Sequence, residues 1–74
     1  MEYEYTVLIE QDEDGVYIAT VPALRGCHSA GDTEAEALEM VTDAIRLYVE
    51  NLRAKGEPIP REVTTTKVRV PIPA

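Results

Sequence analysis

With 74 residues and a formal net charge of −7, the chain is long enough for one small domain, and its acidic surface would repel phosphate backbones. A domain of this length buries only about 60% of the surface that its unfolded chain exposes, and without Phe or Trp it has few large side chains to fill a core. These features argue against direct binding of RNA or DNA, and they predict that the chain forms a homodimer or homotetramer.

The charges are unevenly distributed along the chain. Residues 1–50 carry twelve acidic side chains and two arginines, which sum to −10, whereas residues 51–74 carry five basic and two acidic side chains, which sum to +3. An acidic region of this size steers a basic protein toward it and favours association at low salt. A solubilising role alone would also explain the acids.

Compartment signals point to the cytoplasm. Cys27 is the single cysteine, so no intramolecular disulfide can form, and a lone thiol is typical of reducing compartments. The amino terminus lacks the basic start and apolar stretch of a signal peptide, and no apolar run approaches the ~20 residues that span a bilayer. We therefore expect no membrane association.

Three strands are predicted in the first 31 residues. Apolar and polar side chains alternate over residues 3–11, and Gly15 can supply the positive φ of a hairpin turn after them. Residues 16–21 are fairly apolar on both faces, as in a strand inside a sheet, and residues 27–31 are long enough for one short third strand.

A single helix is predicted over residues 34–55. Thr33 and Glu36 have the spacing of a capping box, in which the Glu36 carboxylate reaches back to Thr33, and Gly56 suits the left-handed position after a helix end. An apolar stripe with a spacing of three or four residues predicts the face that packs on the sheet. The stripe consists of Leu38, Val41, Ile45, Tyr48 and Leu52, flanked by Ala37 and Ala44.

Residues 63–70 are rich in β-branched side chains and predict a last strand. The element order is then β-β-β-α-β. It indicates an α+β fold in which one small, mostly antiparallel sheet carries a single helix on one face.

No catalytic, cofactor or metal site is predicted. The acidic turn at residues 12–15 lacks the spacing of a calcium loop, since its glycine comes three residues after the first Asp. Cys27 and His28 are neighbours on an extended segment, so they point to opposite faces and cannot share one metal or one reaction. The inward positions carry apolar side chains, which argues against an enzyme.

Four segments, taken together, resemble the HicB-like antitoxin family: residues 14–19, 21–27, 30–33 and 36–38. The resemblance implies a truncated RNase H-like β-β-β-α-β domain without catalysis. It also implies a partner, a small basic HicA-like toxin that cleaves messenger RNA, which the antitoxin silences by covering the toxin's RNA-binding surface and catalytic histidine. Arg25 departs from the proline that is common in the family.

Many members of this family carry a carboxy-terminal helix-turn-helix or ribbon-helix-helix module, whereas residues 57–74 of this chain are rich in Pro, Thr and Val. We therefore expect one HicB-like domain over residues 1–74 with no carboxy-terminal DNA-binding module. An alternative is a stand-alone homo-oligomeric module that serves as a structural or small-ligand-binding unit without a toxin partner.

Exposed acids near two predicted turns are the candidate contacts with a basic toxin. One group is at the hairpin tip and the other at the start of the helix, and one tyrosine accompanies them. The candidate partner-binding residues are Asp12, Glu13, Asp14, Tyr17, Asp32, Glu34 and Glu36.

Overall fold

The structure of the chain is a computed structural model, and it describes residues 2–62, 64 and 66–73. Strands β1 (Leu8–Gln11), β2 (Tyr17–Thr20) and β3 (His28–Gly31) precede helix α1 (Glu34–Lys55). The strands form one antiparallel sheet in the order β1-β2-β3, and α1 packs across β3 and β2. This arrangement confirms the predicted α+β class with three strands before one helix.

Both ends of α1 follow the sequence signals. The hydroxyl of Thr33 accepts a hydrogen bond from the Glu36 amide at 3.0 Å, and Gly56 adopts φ +70°, a left-handed conformation that ends the helix. The Glu36 carboxylate does not close the predicted bond to Thr33. It accepts instead from the amide of Asp32 at 3.4 Å, because the close approach of Gly31 to the helix start brings that amide within reach.

The core lies between the sheet and α1, and a loop completes it. Leu24, in the connection between β2 and β3, is fully buried and is among the largest fully buried side chains. Backbone hydrogen bonds join Val21, Leu24 and Cys27 at 3.0–3.1 Å and fold this connection inward. The buried apolar residues are Ala19, Val21, Leu24, Cys27, Ala37, Val41 and Val49.

The helix buries a slightly different face from the predicted stripe. Ala37 and Val41 are at most 1% exposed and form its centre, while Leu38 is 38% exposed at its margin. Small and β-branched residues occupy the centre because α1 approaches the sheet closely at Gly31.

The first predicted strand is shorter than expected, and the last predicted strand is absent from the described residues. Residues 3–7 were expected in the first strand, but pairing with β2 begins only at Leu8, opposite Thr20, because Pro22 ends the partner soon afterwards. Within the predicted strand at 63–70, residues 63 and 65 lie outside the described residues. Residues 64 and 66–70 belong to no strand and are exposed, since no neighbouring strand pairs with them.

No helix in the described part of the chain is long and apolar enough to cross a membrane.

Candidate functional site

The sheet register brings the two predicted acidic groups to one end of the molecule. Gln11, Tyr17 and Gly31 lie side by side across β1, β2 and β3. The hairpin tip therefore follows β1 at the same end at which α1 begins after β3, about 10 Å away across two strand spacings. We call this surface the acidic end, and all its members are exposed: Asp12, Glu13, Asp14, Asp32, Glu34 and Glu36.

Asp12 organises the hairpin tip as well as adding charge. Its Oδ1 accepts from the amides of Asp14 at 2.9 Å and Val16 at 3.0 Å. Its carbonyl accepts from the Gly15 amide at 3.0 Å, and Gly15 adopts the positive φ of +85° expected for this turn. The turn therefore holds Glu13 and Asp14 outward, where their carboxylates are exposed to solvent.

Gly31 fixes the helix start beside the sheet. A Cβ atom at this position would lie 2.6 Å from the amide nitrogen of Ala37 and 3.0 Å from the carbonyl carbon of Glu36. Only glycine permits this approach. Asp32 and Glu34 consequently lie at a closely packed junction, next to the positive end of the α1 dipole that their charges offset.

Tyr17 is the aromatic residue predicted as a contact, and it lies at the acidic end as the first residue of β2. Its side chain is half-buried and packs against the core. An aromatic ring in this position combines a fixed body with a polar hydroxyl, which suits it to a contact surface.

The basic side chains of the last helical turn lie far from the acidic end. Arg53 and Lys55 are in the last turn of α1, and a helix of 22 residues is about 33 Å long. The molecule is therefore electrically polar from one end of the helix to the other. This separation exceeds the Debye length of about 8 Å at physiological salt, so the acidic end acts as a separate electrostatic surface.

The described residues offer no group of three or more His, Cys, Asp or Glu side chains that could hold a metal ion. Cys27 is buried whereas His28 is exposed, so the two neighbours point apart as predicted. Burial raises the pKa of the Cys27 thiol, which leaves it mostly protonated near neutral pH and chemically unreactive.

The chain after α1 returns to the amino-terminal segment, a contact that the sequence pattern did not predict. The hydroxyl of Tyr5 donates to the carbonyl of Pro60 at 2.7 Å, and the hydroxyl of Thr6 donates to Glu62 at 2.8 Å. The Arg61 guanidinium lies 5.9 Å from the centre of the Tyr3 ring. Burial and the neighbouring Tyr3 raise the pKa of Tyr5, while Arg61 opposes the rise.

Comparison with known sequences places the chain among small bacterial and archaeal proteins. Residues 5–71 match the family model described as the HicB-like antitoxin of a bacterial toxin-antitoxin system. A UPF0150 protein of Synechocystis sp. is 53% identical over 81% of this chain and 76% of its own length. A UPF0150 protein of Thermoplasma acidophilum is 51% identical over 80% of this chain and 86% of its own.

The fold is similar to a solved structure. The crystal structure of the N-terminal domain of the Burkholderia pseudomallei antitoxin HicB matches with a TM-score of 0.70 at 34% identity. The match covers 80% of this chain and 69% of that one.

Proposed function

The chain belongs to the HicB-like antitoxin family, and from this premise we propose that its acidic end binds and neutralises a small basic HicA-like toxin that cleaves messenger RNA. The family provides the antitoxin of bacterial toxin-antitoxin systems, and it is not a family of enzymes. The observation that carries the proposal is the convergence of six exposed acids at one end of the sheet. The cytoplasm is the compartment in which such a toxin would meet its substrate.

A ribonuclease binds RNA through basic side chains that neutralise phosphates. A rigid acidic surface competes for those side chains because its carboxylates present the same charge at fixed positions. Binding would cover the RNA-binding and active-site surface of the toxin, so that phosphate cannot enter. Opposite charges would also speed the encounter, and higher salt would slow it.

The members of the acidic end have different roles in this proposal. Asp12 and Glu36 hold the local backbone through hydrogen bonds with amides. Their positions keep the remaining acids, Glu13, Asp14, Asp32 and Glu34, on the surface as the principal charges. Tyr17 would add an aromatic contact at the same end.

The test compares cleavage of RNA by the small basic protein encoded beside this gene with and without an equimolar amount of this chain. We expect cleavage to stop and the two proteins to co-purify. The variant Glu13→Gln/Asp14→Asn should slow association severalfold at low salt, because the summed field of a charged surface raises on-rates by about 10- to 1,000-fold and these two charges supply part of it. It should also flatten the dependence of the rate on salt.

Glu50→Gln/Glu57→Gln is the matched control, since it removes the same charge from exposed positions on the second half of α1 and just beyond it. Equal loss of association in both variants would show that net charge alone matters, and the acidic end would lose its assigned role. Continued cleavage with the unmodified chain would reject neutralisation and favour the stand-alone homo-oligomeric module.

A further inference from the structure

The end of the chain carries an apolar face that is open to solvent. We call residues 66–72 the tail. Val68, Val70 and Ile72 are 78%, 65% and 83% exposed. They alternate with Lys67, Arg69 and Pro71, which is the pattern of a strand with one buried face. Large β-branched side chains in this arrangement are typical of a strand whose partner is missing.

The molecule is more extended than a compact domain of this length, which agrees with a tail that projects from the sheet and α1. The radius of gyration is 14.9 Å, whereas a compact chain of this length has a value of about 11 Å. The longest dimension is 53 Å, which exceeds the length of α1 by about 20 Å. The excess comes from chain outside the helix.

An unpaired sheet edge is available to receive a strand. β1 pairs with β2 on one side, and no other strand of the described residues lies on its second side. Leu8, the first residue of β1, is 45% exposed. An edge strand presents a row of backbone donors and acceptors that can pair with another chain.

Charge favours pairing of the tail with β1. Lys67 and Arg69 are the only charged residues after Glu62, and both are basic. β1 itself carries Glu10, while Glu2 and Glu4 precede it, and no basic residue occurs before Arg25. Opposite charges on directly facing residues of adjacent strands stabilise the pairing of those strands.

We propose that the tail of each copy pairs with β1 of a second copy, so that two chains exchange tails in a symmetric dimer. Within the described residues, the tail does not pair with β1 of its own copy, although Tyr5 and Thr6, just before β1, bind Pro60 and Glu62. A reciprocal exchange covers both exposed apolar faces and both β1 edges with one self-complementary interface. Pro71 would then limit further strand addition at the new edge.

The first test is the mass of the chain in solution by sedimentation equilibrium. We expect twice the mass of one chain for the natural sequence and the mass of one chain for Val68→Asp/Val70→Asp. The matched control is Met40→Asp/Leu47→Asp, which alters helix side chains that are 50% and 67% exposed and should leave the mass doubled. Circular dichroism of each variant establishes that the helix persists.

The second test identifies the strand that receives the tail. In an equal mixture of 13C-labelled and unlabelled chains, isotope-filtered NMR should detect contacts between methyl groups of Val68 or Val70 on one copy and Leu8 or Ile9 on the other. Both experiments use the chain alone, so they are independent of the proposed binding of a toxin.

Three results would overturn the proposal. The first is a dimer that survives the tail substitutions, and the second is a set of tail contacts confined to one copy. The third is a monomer whose tail becomes ordered only when a basic protein is added, which would make that protein the occupant of the apolar face.

Discussion

Val21 and Val68 show how the body of this molecule, which consists of the sheet and α1, differs from the tail. Both are β-branched residues in segments predicted as strands or their ends, yet Val21 is 1% exposed and Val68 is 78% exposed. Val21 is held by a backbone bond with Cys27 and packs with Leu24, whereas the tail pairs with no described residue of its own chain. The comparison shows that strand propensity acts only where a partner is present.

The largest expected effect is a core deletion in the body compared with the same kind of deletion in the tail. Leu24→Ala should cost about 2–5 kcal/mol of unfolding free energy, because it leaves a cavity in a fully buried site. Val68→Ala should cost less than about 0.5 kcal/mol, as is usual for exposed positions. Urea denaturation at a concentration that keeps the chain monomeric would measure both. Similar losses of unfolding free energy in the two variants would contradict the difference in packing between the body and the tail.

A smaller effect concerns the junction that orients the acidic end. Gly31→Ala should cost about 1–3 kcal/mol, since its Cβ would meet the backbone of Ala37. Gly26→Ala is the control, because Gly26 has a positive φ of +77° with no atom within 4 Å of the added Cβ, and backbone strain alone should cost about 1 kcal/mol. Thermal unfolding of the two variants compares the cost of a packing clash at Gly31 with the cost of backbone strain at Gly26. A loss at Gly26 that exceeds the loss at Gly31 would contradict the tight junction.

The smallest effect is a pH dependence confined to the body. Burial raises the pKa of Cys27 above its ordinary value of 9.0, so the folded state favours the protonated thiol. The resulting stability is fully present below pH 9 and is lost as the pH rises through the folded pKa. Between pH 8 and pH 10.5, the urea midpoint should fall less for Cys27→Ala than for the natural chain. The remaining decrease would include Tyr5, whose pKa is raised from 10.0. An unchanged pH dependence in the variant would show that the thiol ionises freely in the folded chain.

Local signals predicted the elements that depend on neighbours in sequence. The helix bounds agree with the prediction because Thr33 and Gly56 mark both ends. The three strands occur where expected, although β1 is shorter than residues 3–11. The difference arises because a strand needs a partner at every position, and the length of β2 cannot be read from the composition of β1.

The same limit applies to the candidate surface. The sequence identified the acids on two turns, but only the register of β1, β2 and β3 brings Asp14 and Asp32 to the same end. The sequence also could not reveal that Asp12 and Glu36 bind backbone amides. The predicted last strand failed for a physical reason, since its apolar face has no partner within the described part of one chain.

The contacts of Tyr5 with Pro60 and of Thr6 with Glu62 have a consequence for the order of folding. They join residues 55 and 56 positions apart, and closing a loop of that size has an entropic cost of about 3.5 kcal/mol. The hairpins and α1 involve much closer residues and can form earlier. The contact between these two parts of the chain should therefore form last and open first, which would release Pro60 and Glu62 while the sheet and helix remain folded.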